Sequence, residues 1–161
     1  MRDLISFPNP VNEKAARTVA AVVAATAILT LATGWWWLLV PLAYGFIARA
    51  LTGPKLSPLG ALAMRVVGPR LGAPKLVPGP PKRFAQTIGA VFSTVAAIAA
   101  LAFGWTTLAF VLIAILTVFA LLESVVGFCA GCFAFAQLMR LGVIPPETCE
   151  ACADIRLRSA A

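Results

Sequence analysis

Residues 18–48 read TVAAVVAATAILTLATGWWWLLVPLAYGFIA, 31 consecutive positions without a charge. A membrane-crossing helix needs roughly 20 residues, so this run is too long for one passage and suits two, joined at Gly34-Trp35-Trp36-Trp37. Glycine permits the reversal, and tryptophan prefers the interfacial belt. A second charge-free run, residues 84–122, has 39 positions and is interrupted in the same way by Gly104-Trp105. The pattern predicts an all-α membrane protein, a four-transmembrane-helix bundle with spans over residues 12–32, 36–51, 84–103 and 106–128. The first pair is tight, so Arg17 and Arg49 fall inside the helix ends and must snorkel. The competing readings of the first run are a re-entrant hairpin and a cleaved signal peptide. The second is countered by apolar sequence that continues past any small-residue cleavage site into Trp35-Trp36-Trp37.

Composition agrees with that reading. Of 161 residues 61% are apolar and 12% charged, too little polar surface to cover a water-soluble globule. Histidine is absent, which removes Ser-His-Asp and Cys-His catalysis, histidine-ligated metal and histidine proton relays. The 13 basic residues outnumber 6 acidic ones, yet none lies at either Gly-Trp tip. They precede or open the first span (Arg2, Lys14, Arg17), close the second (Arg49), fill the loop 52–83 or follow the fourth span. By the positive-inside rule both termini and that loop are cytoplasmic. The +7 charge therefore orients the chain, and nucleic-acid binding is not expected.

The two hairpins look duplicated. Ala16-Arg17-Thr18-Val19-Ala20-Ala21-Val22 aligns with Ala85-Gln86-Thr87-Ile88-Gly89-Ala90-Val91, and each is followed by its Gly-Trp tip at nearly equal distance. A pseudo-symmetric bundle follows, in which small residues such as Ala20, Ala24, Gly89 and Ala96 would let helices one and three approach closely. In the proline-rich loop 52–83, Ser57-Pro58 reads as a helix start and residues 59–67 as a short interfacial amphipathic helix. It serves either as a basic tether to anionic headgroups or as a docking surface for a soluble protein.

All four cysteines lie in the segment 129–161, a predicted cytoplasmic tail: Cys129 and Cys132 in one Cys-x-x-Cys pair, Cys149 and Cys152 in another. Two such pairs 16 residues apart match a tetrathiolate structural zinc site. The same residues also suit thiol redox chemistry, with Cys129 and Cys132 as the reacting pair, provided a helix begins there to acidify the first thiol. Within the predicted spans the ionisable and amide groups Arg17, Arg49, Gln86 and Glu123 each sit near the cytoplasmic end of a different helix. Such a ring either pins the bundle or positions a reacting group beside the thiols, with Glu123 moving protons.

Several stretches carry a family likeness: Asn9-Pro10, Arg17, Arg49-Ala50-Leu51, Ser57-Pro58, the run from Lys82 to Gly89, and above all Glu123-Ser124-Val125-Val126-Gly127-Phe128-Cys129-Ala130-Gly131-Cys132. On these the chain resembles the bacterial membrane proteins grouped as domain of unknown function 4395. The chain is expected in the bacterial cytoplasmic (inner) membrane; the resemblance implies four spans, no established activity, and members sometimes fused to or encoded near thioredoxin-like or rhodanese-like proteins. The functional expectation is thiol–disulfide redox or sulfur transfer with such a partner. The alternative is a non-enzymatic membrane subunit or scaffold whose four cysteines hold zinc and bind a protein partner.

Overall fold

The computed structural model describes residues 7–149. Helix α1 (Glu13–Thr33) starts where the Asn12 side chain accepts the Lys14 N–H at 3.0 Å, with Glu13 in the first turn to complement the helix dipole. A 3-10 turn (Trp36–Leu38) leads into α2 (Leu39–Thr52). Ser57 caps α3 (Pro58–Leu62) by accepting the Gly60 N–H at 3.1 Å, with proline in the first turn as the sequence predicts. A π turn (Ala63–Val67) and the short α4 (Gly68–Arg70) follow. Next come α5 (Gly79–Leu101), α6 (Thr106–Leu121) with a terminal π turn (Leu122–Val126), α7 (Ala130–Arg140) and a 3-10 turn (Pro146–Cys149). Two short strands, β1 (Val11–Asn12) and β2 (Leu76–Val77), pair antiparallel and tie the entry to α1 to the entry to α5.

Among the described residues three helical segments are long and apolar enough to cross a membrane: Glu13–Thr33, Gly79–Leu101 and Thr106–Val126. The 21 residues of the first reach about 31 Å at 1.5 Å per residue, close to a hydrocarbon core of about 30 Å. Trp36–Thr52 is apolar but shorter. The third predicted span begins at Gly79 instead of residue 84, because Pro80 and Pro81 occupy the first turn, where a missing N–H is harmless. The fourth ends at Val126, where Gly127 turns the chain with φ +77°.

The main packing pairs are α1 with α6, α2 with α5, and α5 with α6. Small residues do bring helices close, but not α1 against α5 as the sequence suggests. Gly89 of α5 lies under the Phe46 ring of α2, which occupies the space a side chain would need. Val19, Val23, Ala27, Leu39, Leu42, Phe46, Ile113 and Leu116 form the core. Val22, Ile28, Val91, Val95, Ile98, Phe110, Val111 and Val118 face outward, an apolar exterior that suits lipid. Buried Thr30, Ser93 and Thr117 each donate to the carbonyl one turn earlier, at 2.6–2.8 Å, which satisfies a hydroxyl without water.

The Gly-Trp tips are built alike. Gly34 and Gly104 both have φ +68°. Trp35 and Trp105 both have φ −79°, with ψ 76° and 66°, and the following N–H donates back to the glycine carbonyl at 2.9 Å in both. These are inverse γ-turns. The opposite helix ends gather near one another: Arg83 of α5 donates to the Ala50 carbonyl of α2 at 3.0 Å, and Arg17 of α1 reaches the end of α6.

Candidate functional site

The four polar residues singled out in the sequence meet at the end of the bundle away from the tips, but not as a closed ring. Arg49 Nε donates to Gln86 Oε1 at 2.8 Å and Nη1 to Ser57 Oγ at 3.3 Å, while the guanidinium lies 4.8 Å from the Phe46 ring centroid. Arg49 is only 6% exposed, and its Nη2 is buried with no hydrogen-bond partner among the described residues. Arg17 instead caps the end of α6, donating to the Ser124 carbonyl at 3.1 and 3.2 Å and to the Val125 carbonyl at 2.7 Å. Glu123 pairs with Lys82 at 2.5 Å, and both side chains are largely buried.

Lys82 is the residue that sequence reasoning missed. It reads as one of the loop charges, because a basic residue beside a proline pair looks solvated. The signal that places it in a helix was present: Pro80-Pro81 marks a helix start, and Lys82 then falls in the first turn.

The chain between α6 and α7 explains how the first cysteine pair comes to rest on this cluster. Arg17 takes the last carbonyls of the π turn, and Gly127 reverses the backbone in the left-handed region. A side chain there would also crowd Glu13 Oε1, at 3.3 Å. Cys129, extended at φ −95° and ψ 102°, is the N-cap of α7, and its Sγ accepts the Cys132 N–H at 3.3 Å. The helix on which the redox expectation depended therefore does begin at this pair. Gly131 lets α7 close onto α5: a Cβ there would lie 2.5 Å from that of Ala85. Phe84 and Phe135 pack edge to face alongside, with centroids 5.7 Å apart.

Cys129 and Cys132 are free thiols, each partly buried. The hydrogen bond from the Cys132 thiol lowers the Cys129 pKa below the ordinary thiol value, aided by the Lys82 charge and the Cys132 N–H and opposed by burial and Glu123. The same thiol–thiol hydrogen bond, with burial and the Cys129 charge, pushes Cys132 far up. The two thiol pKa values are thus pushed apart, Cys129 down and Cys132 up. Cys149 is buried at the end of the last 3-10 turn and is disulfide-bonded. Cys152 lies outside the described residues, as does the rest of the tail beyond 149. Among the described residues no three cysteine or acidic side chains gather as a metal site.

Arg49, Gln86, Glu123 and Cys129 line one cavity of about 180 Å³, walled otherwise by apolar side chains from α1, α2, α5, α6 and α7. It joins the polar cluster to the first thiol; Arg17 and Lys82 stand outside its lining.

Membrane-length apolar helices and a dithiol set at a helix start, over a buried cluster of charge, define a helical membrane protein with a Cys-x-x-Cys site at one end of its bundle. No curated protein and no solved structure matches it. The chain does match the family described as Domain of unknown function (DUF4395), over residues 11–140, and it belongs to that family. The matched region includes the bundle and the first cysteine pair and stops before Cys149 and Cys152.

Proposed function

We propose that this chain is a multi-pass protein of the bacterial cytoplasmic membrane whose Cys129–Cys132 pair performs thiol–disulfide exchange or sulfur transfer with a soluble thioredoxin-like or rhodanese-like partner. Four helices cross in this reading, α2 with its leading 3-10 turn being the short fourth, and the termini, the loop 52–83 and the cysteines face the cytoplasm. The like-built tips support a duplicated hairpin, and the basic loop offers the partner its docking surface. The observation that carries the function is the placement of Cys129 at the N-cap of α7 with a lowered pKa, next to a Cys132 that holds its proton.

The step follows from those states. The Cys129 thiolate attacks one sulfur of the partner's disulfide; a mixed disulfide forms and the partner's other sulfur leaves as thiolate. Cys132 then loses its proton and attacks Cys129 Sγ, which closes the intramolecular disulfide and releases the partner's second thiolate. In sulfur transfer the Cys129 thiolate takes the sulfane sulfur of a partner persulfide, and the partner's thiolate leaves. The alternative is a zinc-holding scaffold that uses Cys129, Cys132, Cys149 and Cys152. It requires Cys149 as a thiolate, whereas Cys149 is disulfide-bonded here.

Metal analysis and thiol counting on full-length protein purified from membranes without added zinc separate the two. The dithiol reading expects metal-free protein in which Cys129 and Cys132 react and form mixed disulfides with thioredoxin. About one bound zinc per chain with protected thiols would establish the scaffold instead.

A further inference from the structure

The cavity beside Cys129 holds a hydrogen-bond donor that no described residue receives. Arg49 Nη2 is buried without a partner among the described residues, and the acid in the cavity lining, Glu123, is engaged by Lys82. Apart from Gln86 and Cys129, the remaining wall is hydrocarbon and aromatic, including Phe46, Phe92, Phe119, Val19, Val23 and Leu116. A small sulfur oxyanion would exchange its hydration for such walls and would sit beside Glu123 and Cys129, a poor trade for a concentrated charge. A flat neutral ring with a carbonyl matches better, because the ring buries apolar surface and the oxygen accepts from Nη2. Phe119 is 40% exposed on the outer face of α6, so the cavity adjoins the surface from which a lipid-soluble molecule would enter.

We propose that this cavity binds the head group of a membrane quinone, with Arg49 as donor to a ring carbonyl, and that the quinone is the two-electron acceptor of the Cys129–Cys132 dithiol. The redox half of this inference rests on the dithiol reading above. The reaction runs from the Cys129 thiolate and the Cys132 thiol. Their sulfurs form one S–S bond and release two electrons to the ring; the Cys132 proton and one from solvent end on the two quinone oxygens, giving hydroquinone. A cation fixed at the carbonyl favours this direction, since negative charge develops there before protonation arrives.

The test uses reduced full-length protein in lipid nanodiscs and a ubiquinone with one isoprene unit, whose fully substituted ring has no free carbon for thiol addition. Expected are saturable binding and one hydroquinone formed per disulfide. Cys132→Ser should bind the quinone but not reduce it. Arg49→Lys keeps the charge but loses the fork and should weaken binding about tenfold or more. Ala16→Phe, which fills the cavity from its α1 wall, should abolish binding; helical circular dichroism and elution volume serve as fold controls for both variants. If folded wild-type protein exchanges disulfides with thioredoxin yet does not bind the quinone, the inference falls and the dithiol reading stands. If the quinone binds while the thiols neither reduce it nor exchange with thioredoxin, the electron step and the dithiol reading fall together. Binding of sulfite or thiosulfate at Arg49 in place of the quinone would also overturn it.

Discussion

The first hairpin, α1 with α2, and the second, α5 with α6, share their tips but not their roots. At the tips the same glycine, the same φ and the same back-donating N–H recur. At the roots, equivalent positions keep their partners' location and change their chemistry. Arg17 of the first hairpin reaches the end of α6, and its counterpart Gln86 reaches Arg49 near the end of α2. One contact caps carbonyls with a cation; the other holds a buried cation with a neutral amide. A repeated frame can therefore carry an asymmetric site: α2 runs out into the basic loop from a buried arginine, and α6 runs into the dithiol from a buried glutamate.

The largest expected effect tests that asymmetry. Glu123→Leu leaves the Lys82 ammonium buried and unpaired and should destabilise the protein by about 3–5 kcal/mol, read as denaturant unfolding in detergent. Adding Lys82→Met should recover most of the loss. Gln86→Leu removes one hydrogen bond to a charged group and should cost about 1.5–3 kcal/mol. The reverse order of severity would mean that the first hairpin holds the critical buried charge.

A smaller effect probes the root of the second hairpin alone. Gly131→Ala must push α7 off Ala85, and overpacking of this kind costs about 1–3 kcal/mol. Faster alkylation of Cys132 should accompany it as the pair opens; unchanged alkylation would show that the Ala85 contact does not hold the pair in place.

At the tips Gly34→Ala and Gly104→Ala each place a side chain in the left-handed region with open space around it. Each should cost about 1–2 kcal/mol, and the two costs should agree. A clear inequality would break the equivalence of the hairpins.

The smallest effect is a pH dependence at the dithiol. The Cys129 pKa is lower folded than unfolded, so the stability it contributes is full above the ordinary thiol value and is lost as pH falls through its folded value. Comparison of reduced wild type with Cys129→Ser should therefore show a stability difference that shrinks on acidification through that window. A difference independent of pH would contradict the lowered value.

Much of this was legible in the sequence, and for identifiable reasons. Charge-free runs broken by Gly-Trp mark two hairpins because both lipid burial and helix reversal leave compositional traces. Ser57-Pro58 announces its cap because serine and proline each have one physical role there. Of the site, Arg49, Gln86, Glu123 and Cys129 were readable as neighbours, since an ionisable or thiol group near a span end has few places to go. Lys82 is not, because the charges of Lys82 and Arg83 look like the end of the loop and hide the start of α5. Nor was the start of α7: cysteine is no customary cap, and only the reversal at Gly127 and the hold of Arg17 on the last carbonyls of α6 turn it into one. The small-residue stripes misled about partners because they allow close approach without specifying to whom.

The most direct measurement is the pH profile of alkylation at each thiol, followed by mass spectrometry on full-length reduced protein in native membranes. Cys129 should react first, with a midpoint below that of an ordinary thiol, while Cys132 stays unmodified until far more alkaline pH. Equal midpoints for the two thiols, or protection of both that is relieved only by a zinc chelator, would contradict a dithiol readied for exchange.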